Sequence, residues 1–72
     1  MSEASERLKS ARAKAGYPTA KAAAEAMGVP VATYIQHENG VRGLPAGRAD
    51  RYAKFFRVAP EWLLYGSKAS NG

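Results

Sequence analysis

The chemistry open to this chain is that of binding. Gln36 offers an amide that can pair bidentately with the N6 and N7 edge of adenine, and Thr33 offers a hydroxyl for a base or a phosphate. Around them eleven Lys and Arg stand against six Asp and Glu, a formal net charge of +5 over 72 residues. A surplus of that size on so small a chain favours an anionic partner, nucleic acid first, although solubility alone could also account for it. Catalytic groups are scarce by comparison. There is no cysteine, and His37 is the single histidine, so disulfides and thiolate sites are excluded and a metal site is unfavoured. Neither a Gly-rich phosphate loop nor a carboxylate pair placed to share a proton occurs. The expectation is no enzyme, no metal and no cofactor, and no small-molecule ligand is evident.

Helices must hold these groups, because no alternating pattern argues for a strand. Helix 1 is expected over about Glu3 to Ala15, with Ser2 as N-cap, Glu3 and Glu6 in the acidic first turns and Gly16 as the stop. Leu8, Ala11, Arg12 and Ala15 share one of its faces. Pro18 disfavours helix at Tyr17, and Thr19 is a good N-cap for a second helix over Ala20 to Met27, whose alanines allow close approach of another helix. Gly28 can take the left-handed conformation that ends it, Val29 can plug the turn, and Pro30 is tolerated at the start of a third helix that runs to about Glu38. Residues 39–44 read as an exposed loop. Pro45 opens a fourth helix, to about Phe56, with Ala49, Tyr52, Ala53 and Phe56 on one face, and Pro60 opens a short fifth that Gly66 ends.

The result is an all-α fold of five short helices, one domain over residues 1–66 followed by a flexible tail or linker over 67–72. Its large core residues are few: Leu8, Met27, Val29, Tyr34, Leu44, Tyr52, Phe56, Val58, Trp62 and Leu63. No apolar run approaches the roughly 20 residues that span a bilayer, and the first ten residues lack the apolar stretch of a signal peptide. A soluble, cytoplasmic protein without a membrane partner is expected.

Residues 16–40, a short alanine-rich helix, the Met27-Gly28-Val29 turn and a second short helix ending at Glu38-Asn39-Gly40, have the sequence shape of a DNA-reading helix-turn-helix. With Arg7-Leu8 and Arg12 before them, and the run from Val58 to Gly66 after, the chain resembles the lambda-repressor-like (Cro and xenobiotic-response-element type) helix-turn-helix family. No single mark is specific; their order and spacing together are. The resemblance covers Arg7 to Gly66. It implies a compact five-helix domain, with the motif in helices 2 and 3, that binds double-stranded operator DNA, usually as a dimer, to regulate transcription. It also implies that Ala24 faces helix 3 at the crossing, that Arg12 and Glu38 form a bidentate ion pair from helix 1 to the end of helix 3, and that Tyr34 and His37 point inward, His37 as a packed, hydrogen-bonded core histidine.

Under this resemblance the residues facing the major groove are Pro30, Val31, Ala32, Thr33, Ile35 and Gln36. Val31 and Ala32 could pack on thymine methyl groups, so methyl contacts and DNA shape would carry much of the specificity. Thr19 and the first N–H groups of helix 2, with Lys21, form a candidate phosphate site. Asn39, Arg42 and Arg48 lie where family members commonly grip the backbone, Arg42 being the strongest candidate. Lys9, Lys14, Arg51, Lys54 and Lys68 read as solvated charges. About six neutralised phosphates per dimer correspond to a log–log salt slope of about −5.

Three places depart from the family pattern. Ala20 stands where glutamine often clamps a phosphate, the loop over residues 16–19 looks one residue longer than usual, and Arg57 replaces the glycine that usually ends helix 4. Phe55 lies off the apolar stripe; with Ala59 and Pro60 it is either part of a small self-complementary patch, giving a weak homodimer that DNA strengthens, or a lone exposed aromatic. The leading expectation is a repressor that binds a palindromic operator as a dimer. The competing one is an interaction module, an antirepressor or adaptor, that keeps the fold without reading DNA. A variant of the first makes these residues the DNA-binding part of a longer phage-type repressor or an antitoxin.

Overall fold

The computed structural model describes residues 3–40 and 43–66, and there it contains helices and turns with no strand. The elements are α1 (Glu3–Lys14), α2 (Ala20–Met27), α3 (Val31–Glu38), α4 (Ala46–Phe56) and α5 (Pro60–Tyr65). None of them is long and apolar enough to cross a membrane. The expected Ser2 cap and the tail from Ser67 lie outside the described residues.

Local sequence sets where the helices stop. After α1, α2 and α4 the chain turns through one left-handed residue, and the next two N–H groups fold back on the last carbonyls. Gly28 (φ 77) donates to Glu25 O at 3.2 Å while Val29 donates to Ala24 O at 3.1 Å. Gly16 and Tyr17 bond Ala13 and Arg12 in the same way at the end of α1. This arrangement satisfies carbonyls that a helix end would leave orphaned. At α4 the left-handed residue is Arg57, at φ 62 and ψ 45, with Val58 N donating to Ala53 O at 2.9 Å. Arg57 is the sole non-glycine residue with positive φ among those described. Helix starts match less closely. Pro30 and Pro45 were expected as first helical residues, but both are extended N-caps (ψ 129 and 150) that precede their helices. Proline's lack of an N–H is harmless in either place. Pro60 does open α5 from inside its first turn.

The core is built from small residues as much as from large ones. Ala11, Ala23, Ala24, Ala49 and Ala53 are all buried, alongside Leu8, Met27, Val29, Tyr34, Tyr52, Phe56 and Leu63. Ala24 has no exposed surface, and α2 packs more closely against α3 than against any other element. Leu44, Val58 and Trp62, expected inside, are only half buried against this core. The alanines explain the difference: they let backbones approach until little interior volume is left for large side chains. Phe55 is corrected in the opposite sense. It is half buried, its ring 5.4 Å from Tyr17 and 5.4 Å from Phe56, so it is neither a lone exposed aromatic nor a free patch.

Candidate nucleic-acid interface

One face of α3 is locked into the protein. Tyr34, His37 and Glu38, at i, i+3 and i+4, are 0, 3 and 4% exposed, and Val31, three residues before Tyr34, packs half buried on the same side. Glu38 is the anchor. Its Oε2 accepts from Arg12 Nε at 2.6 Å and from the Tyr34 hydroxyl at 2.6 Å. Arg12 reaches it from α1 because it lies beside the stripe of Leu8 and Ala11, and its side chain is only 15% exposed. The pairing differs from the bidentate form expected: the guanidinium divides its donors, with Nη1 going to the Tyr17 carbonyl at 2.9 Å. One arginine thus holds both the end of α3 and the loop that leads into α2. A buried charge with two charge-assisted bonds of this length is well compensated.

The aromatic side of the same face is a second lock. Tyr34 meets Tyr52 edge-on, ring centroids 5.1 Å apart, and a hydrogen bond of 2.9 Å joins His37 Nδ1 to the Tyr52 hydroxyl. His37 is therefore the packed, hydrogen-bonded core histidine expected. Burial, reinforced by the Glu38 carboxylate, pushes the Tyr34 phenol far above its ordinary pKa. Burial also raises Tyr52, against the opposing charges of Arg48 and Arg51. Both phenols stay neutral at any physiological pH.

With that face fixed, the remaining side chains of α3 turn outward. Pro30 and Ala32 are exposed at its start, and Thr33, Ile35 and Gln36 are partly exposed along it. Among the six residues expected to face a groove, Val31 is the one that also packs against the core, so only its edge is left to offer. The residues expected to hold phosphates are mostly open to solvent. Thr19 caps α2, its Oγ1 accepting from Ala22 N at 3.0 Å, which leaves the hydroxyl proton free to donate. Lys21 is exposed in the first turn of α2, Asn39 is exposed at the end of α3, and Arg48 is partly exposed in the first turn of α4. Ala20 is packed against the core, a place the amide of glutamine would fill poorly. Arg42 lies outside the described residues.

Two arginines have structural tasks that the sequence did not disclose. Arg7 donates from Nε to Leu63 O at 3.1 Å and from Nη2 to Leu64 O at 2.9 Å, tying α1 to the end of α5. Arg51, expected as a solvated charge, donates to Met27 O at 3.1 Å and so braces the turn between α2 and α3. No local signal marked them, since Arg7 and Arg51 lie in the middle of α1 and α4 rather than at the ends of those helices. Which helix end each would reach depended on the tertiary arrangement. Together with Arg12 they remove three cations from the set free to meet phosphates.

A family model described as helix-turn-helix matches residues 8–63. No curated protein and no solved structure matches the chain.

Proposed function

The chain belongs to the lambda-repressor-like helix-turn-helix family and is a DNA-binding regulator, and from that premise we propose that it is a repressor that binds a palindromic operator as a dimer. The α3 helix of each subunit enters a major groove, the two half-sites lying about 34 Å apart. The observation that carries this reading is the division of α3: Tyr34, His37 and Glu38 are locked inside, while Ala32, Thr33, Ile35 and Gln36 remain partly or wholly accessible. A rigid element presenting an accessible face is what direct readout requires.

In this reading Gln36 pairs with an adenine, Thr33 bonds a base or phosphate, and Pro30, Ala32, Ile35 and the edge of Val31 make apolar contacts with thymine methyl groups. Thr19, Lys21, Asn39, Arg42 and Arg48 hold phosphates on either side and set the register of α3. The N–H groups at the start of α2 add a partial positive charge to the Thr19 and Lys21 side. With so few hydrogen-bonding side chains on the face, DNA shape supplies much of the selectivity. Occupying a promoter in this way excludes RNA polymerase. The dimer is weak in free solution and is strengthened on DNA. Residues 1–66 act as the DNA-binding unit, and 67–72 as a tail or linker.

Selection of bound duplexes from a random pool with the full chain tests the proposal. The expected result is an enriched half-site in inverted repeat, with affinity falling steeply as salt rises. Recovery of no enriched half-site overturns sequence-specific repression, and binding to a protein partner that ignores salt supports the interaction module instead.

A further inference from the structure

We propose that the cleft between the C-terminal ends of α1 and α4 binds a small aromatic carboxylate. The cleft measures about 690 Å³ and is walled by Tyr17, Phe55 and Phe56, with Lys14 and Arg57 at its sides. That volume falls among the roughly 300–1,000 Å³ of small-molecule sites, which combine apolar walls with a few polar groups. The Tyr17 ring lies 5.4 Å from Phe55 and 6.2 Å from Phe56, with the rings inclined at 35° and 59°. An aromatic ring in the cleft would lie against this cluster of three rings, in a range where offset and edge-on packing are favourable.

The charge of the cleft selects the other half of the ligand. Lys14 and Arg57 are exposed, and neither has an ion-pair partner among the described residues. The helix ends offset them only in part, since Lys14 in the last turn of α1 and Arg57 after α4 each bring a full positive charge to a C-terminus that carries about half a negative one. Arg57 also holds a left-handed backbone, φ 62, that glycine would adopt without strain. A side chain kept in a costly conformation beside a cleft is a mark of a functional site. The loop between α1 and α2 supplies Tyr17 to the same cleft. A ligand against Tyr17 also adjoins the network that fixes the inner face of α3, because the Tyr17 carbonyl holds the arginine that anchors Glu38.

A titration of the full free chain with benzoate, followed by 1H–15N correlation spectra, tests the proposal without DNA, so its failure and the failure of the repressor reading are separate results. Saturable shifts are expected at the amides of Tyr17, Phe55, Arg57 and Val58 and at the Arg12 Nε–H, with a dissociation constant of about 1 mM for a ligand of so few atoms. Benzyl alcohol and acetate should each bind about tenfold more weakly. Arg57→Gly, which relieves the backbone and so keeps the fold, and Lys14→Gln should each weaken benzoate about three- to fivefold, the effect of one exposed charge pair. Benzyl alcohol binding as tightly as benzoate, unchanged affinity in Arg57→Gly, or the absence of saturable shifts at these amides overturns the site. An unmoved Arg12 signal overturns its link to α3.

Discussion

An Arg12→Met substitution keeps most of the apolar length of the side chain and removes its charge. In the native protein the Glu38 carboxylate is 4% exposed and its Oε2 has two donors, Arg12 Nε and the Tyr34 hydroxyl, each at 2.6 Å. The substitution leaves a buried carboxylate with the phenol alone and takes a donor from the Tyr17 carbonyl. Stranding one partner of a buried pair costs about 3–5 kcal/mol. A domain of this size has little more than about 5 kcal/mol of stability to begin with. At about 4 °C or more per kcal/mol, Tm should fall by at least about 12 °C. Urea unfolding followed by circular dichroism and by the fluorescence of Trp62 measures the loss directly. The decisive comparison is the triple variant Arg12→Met, Glu38→Met, Tyr34→Phe, which removes the carboxylate together with both of its donors and leaves only the Tyr17 carbonyl without its guanidinium. It should lie within about 1–2 kcal/mol of the native protein, because replacing a complete buried polar set is far cheaper than breaking it. If Arg12→Met costs less than about 1 kcal/mol, or the triple variant is as unstable as the single one, the buried network is not what holds α3.

Three further outcomes follow from the same structure. Arg57→Gly should raise Tm by a few degrees, because relief of about 1–2 kcal/mol of left-handed strain exceeds the roughly 0.5–1 kcal/mol of added freedom in the unfolded chain; a lower Tm refutes the strain argument. Tyr34 and Tyr52 have raised pKa values in the folded state, so the stabilisation from their neutral phenols is complete below about pH 10, where they titrate when unfolded, and is lost as pH rises above it. Urea unfolding should show stability falling by up to about 2.7 kcal/mol per pH unit in that range, less steeply in Tyr34→Phe, and a flat profile to pH 11 contradicts the assignment. On a selected duplex, Gln36→Ala should cost about 1–3 kcal/mol and relax selectivity at one base while keeping the salt slope; Lys21→Ala should weaken all duplexes alike and reduce the slope by about 1. The reverse pattern in a binding isotherm series exchanges their roles.

Much of the fold was legible because its signals are local. Thr19 caps α2, and Gly16, Gly28 and Gly66 end helices at left-handed residues, as their neighbours in sequence require. The departure at Arg57 was legible for the same reason: a turn that needs positive φ needs it whatever residue occupies it. Core membership was read less well. Phe55 looked exposed from helical periodicity alone, yet Tyr17 from a distant loop covers it. Leu44, Val58 and Trp62 looked interior by type, yet alanine-lined contacts left them at the edge. At the DNA-reading face, the outward direction of Gln36 and Ala32 follows from helical spacing once Tyr34 and Glu38 are known to be inside. Val31 shows the weak point of that reasoning, since a residue at the start of a helix can serve the core and the outer face at once.

The sequence by itself determined the helices, their order, the turn at Gly28 and the family, because capping, glycine conformation and periodicity act within a few residues of one another. The tertiary structure alone decided what Arg7 and Arg51 do and gave Arg12 its second partner, the Tyr17 carbonyl. Arg7, Arg12 and Arg51 are chemically interchangeable in the sequence with Arg48 and Arg57, but a long cationic side chain bonds whatever carbonyl or carboxylate the packed helices bring within reach. Packing therefore turned three of the eleven cations into internal ties, left Lys21 exposed and Arg48 partly exposed, and set Arg57 beside a cleft between two helix ends that are 43 residues apart in sequence, from Lys14 to Arg57.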